Sequence, residues 1–238
     1  SWTNPACVRD GKLYMFPISR PYPGNMMWYN ATIWDAEIGK DYQPKDAADL
    51  KRVMQQLNKP SQGRWAFGSP INRTDQFLYF GSMFGAPQTW RLESDGKLTR
   101  DIETPEFKAA IAYFIDIFKS GLCVPDASAN VTAARDPWIA SKFVVDTQTY
   151  HNAWQDAWVR GQAMKPPAIP HAVMPFAATA GQKPVHYLGR GYYATTMLKQ
   201  APADRIKELL RIADFLASPF GSQEDLLLTT GVEGRDYT

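Results

Sequence analysis

The stretch Asp10–Asn30, DGKLYMFPISRPYPGNMMWYN, decides how the chain is organised. It opens with Asp10-Gly11, a turn signal, because glycine tolerates positive φ and aspartate can cap its own backbone. Lys12–Phe16 alternates as a short strand, and Met26–Tyr29 forms a second apolar strand. The prolines between these segments fix φ and remove donors, so the intervening loop is not expected to form a regular strand.

This rigid loop presents Arg20 and Tyr22 between its prolines. A loop of this kind can carry the chain from one lobe to another and leave polar groups facing a cleft. The two residues are therefore candidates for binding a ligand, and a solvated loop is the alternative.

Composition is that of an ordinary globular protein with one large domain or two lobes. The chain has 238 residues, 45% hydrophobic and 21% charged, with a net charge of +2. The absence of a dense Lys/Arg block argues against nucleic acid as a partner. No apolar run reaches the length that spans a bilayer. Because the chain begins at Ser1 rather than Met and shows no signal peptide, we expect a mature or internal piece of a longer protein.

Cysteines and aromatic residues leave alternatives open. Cys7 and Cys123 could form a disulfide or remain as two buried thiols. Aromatic residues make up 13% of the chain, with eight tryptophans, and such rings suit ligands with flat apolar faces such as sugars. Core packing is the alternative for any single tryptophan.

Strands alternate with helices along the chain, which predicts an α/β fold with a sheet sandwiched between helices. Three helices have clear apolar positions, and the best bounded has Thr104 as N-cap and Gly121 after its end. They span residues 46–58 (with Leu50, Val53 and Leu57), 105–120 (with Phe107, Ala110, Ile111, Phe114, Ile115 and Phe118) and 202–217 (with Ile206, Leu209, Leu210, Ala213 and Leu216). Further strands are predicted at 64–67, 142–146, 171–174 and 185–196. A hairpin over 88–99 turns at Asp95-Gly96, and its Trp90 is expected to pack against the core.

Four motifs occur in a distinctive order along most of the chain. They are D-G-K-x-Y-x-x-P from Asp10, T-P-E-F-K-x-A-x-x-Y with a closing S-G over Thr104–Gly121, R-x-x-x-L-L-R-x-x-D-F-L-A-S-P-F-G-S-x-E over Arg205–Glu224, and G-V-E-G-R-D-Y-T over Gly231–Thr238. This order resembles the extracellular solute-binding proteins of ABC sugar importers, a group similar to maltose-binding protein. It is closest to the large lipoprotein branch of Gram-positive bacteria.

The resemblance implies a type II periplasmic-binding-protein-like α/β fold, with one full lobe and part of the other. Residues 1–23 would be a remnant of the first lobe with the crossing loop, 24–185 the second lobe, and 186–238 the return crossing and first-lobe helices. Met26–Asn30 and Leu188–Thr195 would be the two crossings. Family members extend further on both sides, with a lipobox cysteine that Cys7 does not match.

The resemblance also implies a function and partners. The chain would bind a sugar or oligosaccharide outside the cytoplasm, as a cell-surface lipoprotein or in the periplasm, and deliver it to a membrane permease. Membrane association would come only through a lipid anchor that lies outside this chain. Neither a metal nor another cofactor is expected.

Three further clusters are candidates for the ligand site. Tyr150, His151 and Trp154 follow a strand whose end lines the cleft in similar proteins, although they could also begin a surface helix. Asp75 and Gln76 open a helix that faces the cleft in the family, and helix capping explains Asp75 equally well. Arg190, Tyr192 and Tyr193 belong to the return crossing, where flanking glycines allow close approach of backbone or ligand.

Two other functional classes remain open from the residues alone. A carbohydrate-active hydrolase would need two carboxylates at a fixed separation. Asp75, Asp146, Asp156 and Glu233 are available, but no motif pairs them, and we expect no enzyme activity. A peptide-binding or sensory module on the same scaffold is the third possibility.

Overall fold

The structure is a computed structural model that describes residues 7–19, 24–68, 74–125, 138–149, 157–189 and 191–238. The chain divides into two compact units, residues 1–19 with 192–238 (unit 1) and residues 20–191 (unit 2). Its strands are β1 (Val8–Arg9), β2 (Lys12–Leu13), β3 (Phe16–Ser19), β4 (Asn25–Asn30), β5 (Trp65–Phe67), β6 (Trp90–Leu92), β7 (Leu98–Arg100), β8 (Phe143–Thr149), β9 (Pro170–Ala172) and β10 (Tyr192–Thr196). Its longer helices are α1 (Ala31–Glu37), α2 (Ala47–Leu57), α3 (Thr74–Met83), α4 (Pro105–Lys119), α5 (Ala203–Leu216) and α6 (Gln223–Thr229), and short helical turns occur at Pro60–Gln62, Asp101–Glu103 and Val159–Gly161.

Unit 2 is built around a mixed sheet in the order β5-β8-β4-β9. β5 runs parallel to β8, whereas β4 is antiparallel to both of its neighbours. The middle of β8 is buried from Phe143 to Thr147, which indicates that both faces of the sheet are covered. Helices α2, α3 and α4 supply much of the cover.

The predicted helices α2 and α4 form because their caps and apolar positions agree. Asp46 caps α2 by accepting a hydrogen bond from the Asp49 N–H, and the larger apolar side chains of α2 are fully buried: Leu50, Val53, Met54 and Leu57. Thr104 caps α4 through the Phe107 N–H, as the sequence predicts. The buried face of α4 differs from the prediction, however. Ala110 and Ile117 are buried, while Ile111, Ile115 and Phe118 are exposed.

The buried face of α4 includes a polar contact that the predicted stripe did not contain. Tyr113 lies on the buried side and its hydroxyl donates to the Ala47 carbonyl at the start of α2, 2.7 Å away. The predicted stripe was selected from apolar residues and therefore did not include Tyr113. A stripe through Ala110, Tyr113, Phe114 and Ile117 has the same helical period as the predicted stripe but faces the core.

Unit 1 contains two small strand pairs and two helices. β1 and β2 form a hairpin that turns at Asp10 and Gly11, whose φ values of 47° and 71° confirm the predicted turn. β3 pairs with β10 in a separate two-stranded sheet. The single strand predicted over residues 12–16 is therefore two strands in the structure, because β2 pairs with β1 and β3, which begins at Phe16, pairs with β10.

Several other expectations need correction. Pro17 lies within β3, since proline is tolerated at a strand edge where its missing N–H is not needed. Only Tyr192–Thr196 of the segment predicted as a strand from 185 is a strand, and Gly191 before it has φ 76°. Residues 26–30 do not leave unit 2 as a crossing would. They form β4, whose Trp28 pairs with both β8 and β9.

α5 follows the predicted bounds closely, but every one of its residues is described and none is buried. Ile206, Leu209 and Ala213 are half-buried, while Leu210 and Leu216 are exposed, contrary to the prediction. The described part of unit 1 offers this helix only a two-stranded sheet and α6 to pack against. No helix in the described part of the chain has the length and apolar character needed to cross a membrane.

Candidate functional site

One edge of the sheet in unit 2 gathers the carboxyl ends of its parallel strands. Phe67 of β5 pairs with Val145 of β8, and a parallel bridge joins Phe67 to Cys123 on its other side. Ligands of α/β folds bind outside such strand ends. β4 begins at the same edge, where Asn25 pairs with Thr149, so we call this place the carboxyl edge.

Close backbone contacts shape the carboxyl edge. Gly68 directly follows β5, and a Cβ at this position would overlap the ring of Phe143. Just inside the edge, Asp146 and Thr147 are buried in β8, and the Asp146 carboxylate accepts the Thr147 N–H at 2.8 Å. Two buried polar side chains therefore lie just inside the carboxyl edge.

A second segment runs beside the start of β4. A Cβ at Gly24 would stand 2.7 Å from the Tyr187 carbonyl oxygen and 3.2 Å from the Gly189 nitrogen. The chain leading into β4 and the segment leading out of unit 2 are therefore in contact at the carboxyl edge. Glycine is required there, because Gly24 also has a positive φ of 35°.

Tyr187 connects this contact to α3 and to the hairpin formed by β6 and β7. A small cavity of about 20 Å³ is lined by Leu78, Tyr79, Ser82, Gln88, His186 and Tyr187. Burial lowers the pKa of His186. Burial raises the pKa of Tyr187, with a smaller opposing effect of Arg91 and a reinforcing effect of Glu106.

The hairpin itself presents an aromatic ring and a guanidinium to solvent. Trp90 pairs across the strands with Arg100, whose guanidinium carbon lies 5.2 Å from the centroid of the Trp90 ring. Arg91 on the opposite face binds Glu93 at 2.9 Å and Glu106 at 3.3 Å. The prediction that Trp90 packs against the core is therefore wrong, because Trp90 is 52% exposed.

Most of the predicted site residues fall outside the described residues. These are Arg20, Tyr22, Tyr150, His151, Trp154 and Arg190. Asp75 and Gln76 lie in the first turn of α3, and only their backbone is described. Tyr192 is half-buried and Tyr193 exposed in β10 of unit 1. The predicted site therefore stays a prediction, with Tyr150 placed by sequence directly after Thr149 at the carboxyl edge.

The structure describes the side chains of two of the carboxylates considered for a hydrolase, Asp146 and Glu233, and each belongs to a different unit. Asp146 is buried in β8 of unit 2, while Glu233 bridges to Tyr237 in the terminal turn of unit 1. Asp156 lies outside the described residues. Within the described ranges, no group of three or more His, Cys, Asp or Glu residues could hold a metal ion. Cys7 and Cys123 are both buried free thiols, and burial raises the pKa of Cys123 to about 12.

Unit 1 carries a larger groove of about 660 Å³, bounded by β3 and α5. Its lining combines Phe16 and Pro17 with Leu210, Ala213 and Ala217, and Arg211 and Asp214 are its charged members. Tyr192 and Tyr193, the predicted site residues that the structure describes in unit 1, are not among these lining residues.

The predicted site did not include Gln88, His186 and Tyr187, which line the small cavity beside the carboxyl edge. Their positions depend on how the hairpin and the outgoing segment fold back on α3, which is long-range information. One local feature of the sequence pointed to this region. In Pro87-Gln88-Thr89-Trp90, which leads into the hairpin, the tryptophan comes directly after a turn.

Comparison with known proteins defines the class to which this architecture belongs. Residues 4–232 match the family model described as bacterial extracellular solute-binding protein. The chain belongs to this family of bacterial extracellular solute-binding proteins.

The chain is also similar to a curated protein, lipoprotein LipO of Bacillus subtilis (strain 168). The two are 26% identical over 157 residues, which are 65% of this chain and 30% of that protein. The chain thus spans less than a third of this relative.

Solved structures with the same fold include the maltose-bound T. maritima MalE3 and a solute-binding protein of Thermotoga lettingae TMO bound with alpha-D-tagatose. Both match with a TM-score of 0.66 and 15% identity, covering 96% and 90% of this chain but 56% and 52% of theirs. The S. pneumoniae substrate-binding protein FusA in complex with kestose matches with a TM-score of 0.56 and 19% identity, covering 82% of this chain and 42% of its own. These likenesses establish the type II periplasmic-binding-protein-like α/β fold. The chain spans about half the length of the structures that it matches.

Proposed function

We propose that the protein binds a sugar or oligosaccharide outside the cytoplasm and delivers it to the permease of an ABC transporter, without chemical change to the ligand. The observation that carries this proposal is the match to the extracellular solute-binding family over residues 4–232. The neighbours in complex with kestose, tagatose and maltose support a saccharide as the ligand.

The carboxyl edge of unit 2 is the place we propose for binding. Tyr150 follows the last residue of β8 directly in the sequence, and His151 and Trp154 come shortly after it. We propose that these three side chains contact the ligand. Aromatic faces that stack on sugar rings and planar polar groups that bond hydroxyls are the usual composition of such a site. Asp75 and Gln76 of α3, Arg20 and Tyr22 before β4, and Arg190 are the other ligand residues that we propose in unit 2. Tyr192 and Tyr193 of β10 are proposed ligand residues of unit 1.

The test is thermal unfolding of the full gene product against a saccharide panel containing maltose, tagatose, kestose and nystose, with a tripeptide panel alongside. A ligand that binds only the native state at 100 times its Kd stabilises by about 2.7 kcal/mol. We expect at least one saccharide to raise the Tm and the peptides to leave it unchanged. Stabilisation by peptides alone would favour the sensory or peptide-binding alternative.

Site variants make this test specific. Trp154→Ala and Tyr150→Ala should abolish or strongly weaken the saccharide-induced shift. Phe220→Ala is the matched control, because Phe220 is a fully exposed aromatic residue in unit 1. Chromatography of the saccharide after prolonged incubation should return it intact. Hydrolysis that disappears in Asp75→Asn or Asp146→Asn would establish the hydrolase instead.

Delivery to a permease and attachment by a lipid anchor are the finer parts of the proposal. The family is extracellular, and the B. subtilis relative is a lipoprotein. Deleting the gene should abolish uptake of the saccharide that stabilises the purified protein. Complementation with the wild-type gene, but not with Trp154→Ala, should restore it. Unchanged uptake in the deletion strain would refute the transport role.

A further inference from the structure

We infer that Trp90 and Arg100 form a second sugar-stacking platform on unit 2, which holds a ring of an oligosaccharide beyond the one bound at the carboxyl edge. This inference rests on the proposed function, since it extends the same binding site. In this inference the hairpin of β6 and β7 contributes to the binding of longer saccharides. That hairpin is not part of the site predicted from the sequence.

The geometry of Trp90 leaves one face of its indole available. Arg100 covers the ring from a distance of 5.2 Å between guanidinium carbon and ring centroid. Arg100 covers one face of the Trp90 indole, yet Trp90 is still 52% exposed. Much of the opposite face of the indole must therefore be in contact with solvent. The contact with Arg100 also limits the motion of the ring, so little side-chain entropy remains to be lost when a ligand stacks on it.

Backbone strain just before Trp90 points to a functional constraint. Thr89 has a φ of 76°, a left-handed conformation that a β-branched residue rarely adopts. The Thr89 carbonyl accepts the Asp101 N–H at 2.9 Å, and the Thr89 N–H donates to Pro87 at 3.1 Å. The hairpin thus holds Thr89 in an unfavourable conformation that sets the direction in which the chain enters β6. Strain of this kind concentrates at binding sites.

The hairpin also stands beside the carboxyl edge. Gln88, two residues before Trp90, lines the small cavity together with Tyr187. The Tyr187 carbonyl lies against Gly24, and the next residue, Asn25, pairs with Thr149 at the carboxyl edge. A ligand that begins at the carboxyl edge and continues past the Gly24–Tyr187 contact and Gln88 would run toward Trp90. All of these residues belong to unit 2.

A saccharide fits this surface better than a protein partner does. Arg100 stacks on the indole, and Gln88 precedes Trp90 by two residues in the chain. Both side chains carry planar groups that can bond hydroxyls, as at sugar sites. Leu92 and Leu98 are also exposed on the Trp90 face of the hairpin, but they sit at its turn end, further along the strands from Gln88. A protein docking on the hairpin would use these leucines as well, which gives the experiment a clear discriminator.

The experiment is calorimetric titration of the full gene product with two saccharide series of increasing length. The series are glucose, maltose, maltotetraose and maltohexaose, and sucrose, kestose and nystose. For the series that the wild type binds, Trp90→Ala should weaken the longest member about tenfold, the contribution of one stacked ring. The shortest member that binds should change by less than about twofold. Trp90→Phe should keep most of the affinity for the long member.

Leu92→Ala is the matched control, because it removes exposed apolar surface from the same face of the same hairpin. It should leave both ends of the series unchanged, and circular dichroism should show all variants folded. Equal weakening of short and long saccharides, no effect of Trp90→Ala, or a loss in Leu92→Ala as large as in Trp90→Ala would each overturn the inference. Failure of the wild type to bind any saccharide would instead refute the proposed function, and the platform with it.

Discussion

Gly24 lies so close to the carbonyl oxygen of Tyr187 that a single added Cβ would stand 2.7 Å from it. This contact joins the entry to the central strand β4 with the segment that leads out of unit 2. Two constraints meet there, since the φ of Gly24 is positive and the space for a side chain is already filled by backbone. The proposed binding edge thus has a rigid contact beside it.

Gly24→Ala should lower the free energy of unfolding by about 2–4 kcal/mol, because the clash adds to the cost of a positive φ. Gly85→Ala is the control, since Gly85 has a φ of 80° but open space around its Cβ position. That variant should cost only about 1–2 kcal/mol. Urea unfolding midpoints measure both values. If both variants lost the same free energy of unfolding, the backbone at Tyr187 would be shown to move away from the added methyl group at little cost.

Two tyrosines in the core of unit 2 differ in one respect, the partner of the hydroxyl. Tyr113 donates to the Ala47 carbonyl, whereas the Tyr79 hydroxyl is buried without a hydrogen-bond partner among the described residues. Tyr113→Phe should therefore cost about 1–2 kcal/mol of unfolding free energy. Tyr79→Phe should be neutral or stabilise by up to about 1 kcal/mol, because it removes an unsatisfied buried group.

The same denaturant titration measures both tyrosine variants, and each is the other's control because the deleted atom is identical. A loss in Tyr79→Phe comparable to that in Tyr113→Phe would contradict the prediction. It would mean that the Tyr79 hydroxyl is bonded in solution, for example to a water molecule in the adjoining small cavity.

Local signals predicted the elements well, and long-range packing explains where they failed. The bounds of α2 and α4 follow from Asp46 and Thr104, because a cap acts on the N–H groups of the next turn. The α/β class and the family resemblance also followed from sequence. Which face of α4 is buried depends on Ala47, 66 residues away from Tyr113, and no local pattern contains that contact.

The candidate site was harder to predict than the fold. The exposure of Trp90 depends on the hairpin standing clear of the core, and the cavity beside the carboxyl edge joins Gln88 to Tyr187, almost a hundred residues later in the chain. Neither of these two long-range relationships can be derived from the spacing of residues along the chain. The rings at Tyr150 and Trp154 could be selected because they follow a strand directly, which is a local relationship, and their role stays a prediction.

Stability below neutral pH should depend on Glu37, which binds Lys59 at 2.8 Å and Arg64 at 2.7 Å. Burial by itself would raise the pKa of Glu37, but hydrogen bonds and charge attraction from Lys59 and Arg64 outweigh it, so the pKa is lowered. The ion pairs therefore stabilise the fold fully above the unfolded pKa of about 4.3. This stabilisation is lost as the pH falls through the lower pKa of the folded state.

Glu37→Gln should accordingly reduce the free energy of unfolding at pH 7 and flatten its decline between about pH 5 and pH 3. The control is Glu208→Gln, which removes an exposed carboxylate paired with Arg205 on α5. Exposed pairs contribute little, so its stability profile should follow the wild type. If the stability of Glu37→Gln declined between about pH 5 and pH 3 as steeply as that of the wild type, the ion pairs of Glu37 would not contribute to stability.

Leu50 and Leu216 have the same side chain and the same predicted role, but the structure separates them. Leu50 of α2 is fully buried among the core residues of unit 2, whereas Leu216 of α5 is 62% exposed. Leu50→Ala should cost about 2–5 kcal/mol, because it removes buried methyl groups and leaves a cavity. Leu216→Ala should change the free energy of unfolding by less than about 0.5 kcal/mol. A large loss in Leu216→Ala, measured on the 238-residue chain, would mean that α5 buries this face in solution, for example against a second copy, and light scattering at several concentrations would then reveal the association.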